Sequence, residues 1–389
     1  MTADTVTGMR SNPVLARLGS YAIGEIQNLV REMREAGEDL IDFSIGDPRE
    51  PTPPAVRSAV RDALPEVSQY PTVRGLRELR EAVAAYVERR CGVRVDPDTQ
   101  VLPTAGSKEA IFSTPFALID RDAGDAVIWP TPGYPIYERG ALLAGAVGRP
   151  VTLGGDFVFR TSMVPDEWWD RTRMVWICSP HNPAGSVMSR SEIEDFVDRG
   201  RAAEAMLCSD ECYLDLYEDE RPSSALEVAG PDARGVLAFF SLSKRSGMTG
   251  YRTGAIVGDV EAISLLASFR TSIGTASPEF VQAGAIEAWS DDDHVEERRR
   301  IFAAKRSILR KAFESLGHTV VGSQAGIYLW VRVGDDVAVT ERLLGAKIVV
   351  SPGRAFGPGG EGHIRLALVP TLADCDQAAE AVTECLTES

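Results

Sequence analysis

The feature that most limits what this 389-residue chain can fold into is a succession of short apolar runs, each stopping at a polar or small residue. Thr99 to Leu102, Ala126-Val127-Ile128-Trp129, Arg173 to Ile177, Ala205-Met206-Leu207-Cys208 and Gly235 to Phe240 read as buried strands. Strands alternating with helices predict an α/β fold with a mostly parallel sheet. Such a sheet gathers the carboxyl ends of its strands at one edge, where open α/β folds place their ligands. Asn182, Asp210 and Lys244 follow successive runs, so all three are expected at that edge.

Lys244 lies in the stretch Ser241-Leu242-Ser243-Lys244-Arg245-Ser246-Gly247-Met248-Thr249-Gly250-Tyr251-Arg252. A lysine emerging from a buried strand loses the hydration that favours its ammonium form, and the free amine can condense with an aldehyde as a Schiff base. Ser241 and Arg252 flank it with a hydroxyl and a planar cation, both suited to a phosphate. Taken alone, Lys244 also reads as a surface lysine in a glycine-containing loop.

The other strand ends carry similar double readings. Thr104 to Ala110 sets small residues before a helix, so Ser107 is part of an anion site at the helix start or a plain N-cap. Tyr134, held between prolines, stacks on a flat ring or covers core. Asn182, between Pro180 and Pro183, donates to a ligand or shapes a turn. Asp210, with a phenol three residues on at Tyr213, is a site acid or a helix cap. Gly46 in Ile45-Gly46-Asp47-Pro48 permits close backbone approach. Arg365 alternates with apolar residues in His363 to Leu368, so its fork clamps a carboxylate or lies on the surface.

A formal charge of -16 argues against a nucleic-acid partner or an anionic membrane surface. The six cysteines lack paired spacing, which suits reduced thiols in a cytoplasm, and the four histidines lack metal-ligand spacing. Met1 to Asn12 is polar and no run reaches the ~20 apolar residues of a membrane span, so a cytoplasmic location is expected. Pro13 to Glu35 reads as helix broken near Ser20-Tyr21, and Ser277 to Leu316 as one long charged helical region. That region leads to strands at 319–321, 326–331, 347–350 and 363–368 and a closing helix from Thr371 to about Thr387.

Together these residues resemble the fold-type I, pyridoxal-phosphate-dependent aminotransferases of class I, from about Pro13 to the end. Within that family the likeness is nearest to N-succinyldiaminopimelate aminotransferases. It rests on Leu102 to Phe112, Ser241 to Arg252, Tyr328-Leu329-Trp330-Val331 and Arg365 to Thr371. The resemblance implies a loose arm (1–12), a large domain with a mostly parallel central sheet (46–299) and a smaller α+β domain (13–45 and 300–389). It implies pyridoxal 5'-phosphate as cofactor, with Lys244 as its Schiff-base lysine and Asp210 paired to the pyridinium nitrogen. Asn182 and Tyr213 would hold the ring's phenolic oxygen and Tyr134 would stack on its face. Gly106, Ser107, Lys108, Ser241 and Arg252 would cup the phosphate, which Tyr70 would reach from a partner subunit in a homodimer.

Arg365 would grip the substrate's α-carboxylate, with Gly46, Asn182 and Tyr21 lining the same pocket. The implied reaction moves an amino group between an amino acid, such as N-succinyldiaminopimelate, and a 2-oxo acid such as 2-oxoglutarate. Three positions depart from the family pattern. His181 stands where a second Asn is usual, Ala22-Ile23 where a bulky aromatic is common after the tyrosine, and Gly326-Ile327 where Thr-Phe is frequent. The last two fall at the expected substrate mouth. The same cofactor residues also serve β- or γ-elimination and replacement enzymes of specialised metabolism. A regulatory protein derived from an aminotransferase is disfavoured by the acidic charge and by intact Lys244, Asp210 and Arg365.

Overall fold

The apolar runs form one seven-stranded sheet in a computed structural model that describes residues 12–18 and 22–387. Its strands are β1 (Val101–Thr104), β2 (Ala126–Thr131), β3 (Val147–Thr152), β4 (Thr172–Cys178), β5 (Met206–Asp210), β6 (Val236–Ser241) and β7 (Gly254–Gly258). They lie in the order β1-β7-β6-β5-β4-β2-β3. Only β7 runs antiparallel to its neighbours, so the sheet is mostly parallel. Every residue of β2 and β6 is buried, as expected for strands covered on both faces. Successive residues of β6 serve opposite faces: Phe239 packs with Trp176 and Leu266, and Phe240 with Tyr86 and Trp289.

The helices that bear on the site are α1 (Ala22–Glu35), α2 (Arg77–Cys91), α3 (Ser107–Leu118), α4 (Ile136–Ala144), α5 (Leu242–Arg245), α6 (Val260–Ile273), α7 (Glu279–Ser290) and α8 (Asp293–Ser315). Edge strand β3 was not apparent from the sequence. It is largely exposed and contains Gly148 and Pro150, residues that weaken a strand signal and are tolerated at an edge.

The helical region expected to be continuous from Ser277 to Leu316 is instead two helices, α7 and α8. The chain turns extended at Asp291. There the Asp291 carboxylate bonds His294 Nδ1 at 2.8 Å, and Asp292 receives Arg245 and, at 3.1 Å, Arg89 Nε. An acidic run that reads as solvated helix surface is thus committed to side-chain pairs that stop one helix and start the next.

A second, antiparallel sheet contains β8 (Thr319–Val321), β9 (Tyr328–Arg332), β10 (Ser351–Pro352) and β11 (His363–Ala367) in the order β10-β11-β9-β8. Its own apolar cluster includes Phe302, Leu309, Phe313, Leu329, Leu366 and Val382. Within the strand expected at 347–350, Ile348–Val349 pairs in parallel with Ile41–Asp42, and β10, just after it, joins the antiparallel sheet. None of the six cysteines forms a disulfide. No helix among the described residues is long and apolar enough to cross a membrane.

Candidate active site

Adjacent parallel strands β4, β5 and β6 end at one edge and deliver Asn182, Asp210 and Lys244 to a common pocket of about 240 Å³. Gly46, Ser107, Lys108, Tyr134, Tyr213, Ser241, Arg252 and Arg365 line it as well. Eleven expected positions thus meet in one cavity. Gly106 lies against Arg252 of this lining, and its φ of +88° favours glycine.

Lys244 lies in the single-turn α5 directly after β6, and its Nζ donates to the Gly46 carbonyl. Burial pushes its amine down to about 8; Arg365 and Arg252 act in the same direction, while Asp47 and Cys212 oppose them. The lysine is held in place by its neighbour. Arg245 Nε bonds Asp215 Oδ2 at 2.7 Å, its Nη1 bonds the Ala288 carbonyl at 2.6 Å, and its guanidinium lies over the rings of Tyr86 and Trp289 at 5.1 and 5.5 Å.

Asp210 is buried and makes no ion pair among the described residues. Its Oδ2 accepts from Tyr137 Oη at 2.6 Å and its Oδ1 from the Cys212 N–H at 3.2 Å. Burial raises its pKa, and the Tyr137 hydroxyl pulls it back down. Beside it, Tyr213 Oη lies 2.8 Å from Tyr328 Oη. A Cβ at Gly46 would sit 2.6 Å from that Tyr328 oxygen, so the glycine makes room for the phenol.

Ser107 is the first residue of α3, with Gly106 rather than Ser107 at the N-cap. The helix start is braced by Glu109, which accepts from the Ala105 N–H at 2.8 Å and pairs through both oxygens with the buried Arg270 at 2.7 and 2.8 Å. The first-turn N–H groups of this helix and the nearby Arg252 are a pattern suited to an anion. Arg252 donates only to the Thr249 carbonyl at 2.9 Å and pairs with no carboxylate among the described residues. Burial lowers the pKa of Lys108, as do Arg252 and Arg139.

Arg365, from β11, is buried between the rings of Tyr328 and Phe356 at 4.3 and 4.4 Å. Its Nη1 donates to Asn182 Oδ1 at 3.1 Å and its Nη2 to the Ser44 carbonyl at 2.6 Å, while Nε has no partner. It too lacks a carboxylate. Tyr70 is almost fully exposed and does not line the pocket of its own chain. Tyr21 lies outside the described residues, as does most of the arm expected at 1–12.

Sequence reasoning missed Gln27, Ile45, Cys212, Ser243 and Tyr328 in the lining, and Tyr137 behind Asp210. Tyr137, at the start of α4, carries the local pattern of ordinary core and gave no separate signal. Gln27 is supplied by α1, whose docking has no local signature.

The sequence profile described as aminotransferase class I and II matches residues 38–382. The 4-dedimethylamino-4-oxo-anhydrotetracycline transaminase of Streptomyces rimosus is 38% identical over 349 residues, covering 89% of this chain and 94% of the relative. LL-diaminopimelate aminotransferase 2 of a Nostoc species is 34% identical over 372 residues, covering 92% and 94%. Among solved structures, a probable N-succinyldiaminopimelate aminotransferase from Thermus thermophilus superposes with a TM-score of 0.86 at 27% identity, covering 94% of this chain and 100% of that one.

Proposed function

The chain belongs to the class I and II aminotransferases, and on that premise we propose that it binds pyridoxal 5'-phosphate around Lys244 and moves an amino group from an α-amino acid to a 2-oxo acid. The observation that carries this reading is a set of pocket charges, buried at Asp210 and Arg365 and exposed at Arg252, lacking counter-charges among the described residues. Asp210 lacks a cation, and Arg252 and Arg365 lack anions. A protonated ring nitrogen, a phosphate and a substrate carboxylate are the groups that would complete them.

Bound in this pocket, pyridoxal phosphate supplies an aldehyde for a primary amine and a protonated ring that withdraws electrons from the substrate's α-carbon. Asp210 faces the ring nitrogen, and Asn182 and Tyr213 hold the phenolic oxygen. Tyr134 covers one face of the ring. Gly106, Ser107, Lys108, Ser241 and Arg252 hold the phosphate, Gly106 and Lys108 through backbone N–H groups. Arg365 fixes the α-carboxylate, with Gly46 and Asn182 beside it. Lys244 then takes the proton from the α-carbon and returns it on the other side of the exchange, a role suited to an amine lowered to about 8.

For the substrate we favour a diaminopimelate-type amino donor with 2-oxoglutarate as acceptor, supported by the relatives of that activity. Lys108, close enough to Arg139 for its pKa to be depressed by it, suits a distal carboxylate. A second reading, a bulky ketone acceptor, is favoured by the Streptomyces relative and by Ile45 and Tyr328 in the pocket wall. A homodimer in which Tyr70 crosses to the partner's phosphate is part of the same proposal. Its support is that Tyr70 is almost fully exposed and does not line the pocket of its own chain.

The test is half-transamination followed by absorbance. Glutamate, LL-diaminopimelate or the N-succinylated compound should bleach the visible band of the loaded protein and yield the matching oxo acid. A band unmoved by all three sinks the substrate assignment. Release of ammonia in place of transfer would favour elimination chemistry.

A further inference from the structure

We propose that Tyr137 is a positioning residue for the cofactor ring: its hydroxyl fixes Asp210 and keeps that carboxylate ionised, so that the ring nitrogen rather than Asp210 holds the shared proton. The inference rests on the reading that Asp210 faces a pyridine nitrogen.

A buried carboxylate without a cation tends toward its neutral acid, and a neutral Asp210 would leave the ring a poor electron acceptor. The Tyr137 hydroxyl and the thiol and N–H of Cys212 oppose this. The Cys212 N–H, at 3.2 Å, is an ordinary bond, whereas the Tyr137 hydroxyl at 2.6 Å has the short length of a charge-assisted one. Cys178 lies directly beside Asp210 in the β4–β5 register, but its thiol donates to the Pro180 carbonyl at 3.3 Å. The other titratable groups around Asp210 are Cys178, Cys212, Tyr213 and Tyr328, whose thiols and phenols burial holds in the neutral form. None of them offers a charge, and among the groups that favour the ionised form of Asp210 the Tyr137 hydroxyl is foremost.

The geometry of Tyr137 admits little else. Its ring is fully buried at the start of α4, stacked on Trp176 at 5.0 Å and 17°, and set edge-on to Tyr134 at 5.7 Å and 84°. Two aromatic contacts hold the buried phenol against Asp210. The same turn of chain thus addresses the pocket twice, through Tyr134 in its lining and through Tyr137 behind the acid.

The test uses the loaded enzyme carrying cofactor labelled with nitrogen-15 in the ring, in wild type, Tyr137→Phe and a variant with 3-fluorotyrosine at position 137. In the Phe variant the ring-nitrogen resonance should move toward its unprotonated position and the cofactor dissociation constant should rise about tenfold. Its kcat should fall about tenfold with the KM for amino donor nearly unchanged. Fluorotyrosine, nearly the same size but a stronger donor, should keep the nitrogen protonated to higher pH than wild type. If the Phe variant fails to fold, the fluorotyrosine protein decides the matter alone. A folded Phe variant with the wild-type nitrogen signal and cofactor affinity, or a fluorotyrosine protein with an unchanged titration, overturns the inference. Failure of the wild type itself to bind the cofactor would overturn the functional reading instead, which keeps the two failures distinct.

Discussion

Arg365 is a buried cation whose favourable contacts are two aromatic faces, one amide and one carbonyl, with Nε left over. Such a group is stable in the fold yet underused, and an incoming carboxylate would take up the remaining donor capacity. Arg365→Ala should therefore raise the KM for α-amino acids by about 100-fold, while an amine lacking the carboxylate reacts at close to its wild-type rate; steady-state kinetics with both substrates checks this. His181 gives a prediction of a different kind. Burial pushes its imidazole from 6.5 down to about 4, against a smaller opposing pull from the Pro132 backbone. The unfolded chain binds this proton more readily than the folded one, so the contribution is intact above pH 6.5 and is lost as pH falls toward 4. About 3 kcal/mol is at stake across that window. Urea unfolding at pH 7 and pH 4.5 should show the loss, and His181→Asn should flatten it. At this scale Lys244, Asp210 and Asn182 were legible because parallel strands expose their ends together. Tyr137 and Tyr328 were not, since a buried tyrosine at helical or alternating spacing has the same local pattern as ordinary core.

Elements place these residues through polar anchors as much as through apolar packing. The turn bearing Lys244 is fastened by Arg245 to Asp215, which also accepts from Arg90 Nε at 2.8 Å and Tyr86 Oη at 2.9 Å. Removing Arg245 leaves Asp215 with less compensation and frees the residue next to the lysine. Arg245→Ala should destabilise the protein by about 3 kcal/mol in denaturant unfolding and slow the reaction as well. The break between α7 and α8 belongs to the same network, because Asp291 and Asp292 are drawn to His294 and Arg245. Little in the local sequence announced it: the segment has neither proline nor glycine, and Arg245, the partner of Asp292, lies on another element.

The whole molecule owes its legibility to sheet order. Because β4, β5 and β6 are sequential neighbours, residues spread from 182 to 244 converge without any long-range information. The contributions of α1 and β11 are of another kind, since they reach the pocket only through the packing of separate elements, and Gln27 went unforeseen for that reason. On the same scale, a homodimer to which the exposed Tyr70 contributes predicts a dimer in sedimentation. Tyr70→Phe should leave that dimer intact and increase cofactor loss about tenfold, measured by dialysis and absorbance.

The measurement that bears most directly on the account is borohydride reduction of the loaded protein followed by peptide mass mapping. The account predicts a phosphopyridoxyl group on Lys244 alone, and none in Lys244→Ala. A label on another lysine, or no label in a folded wild type supplied with pyridoxal phosphate, would contradict it.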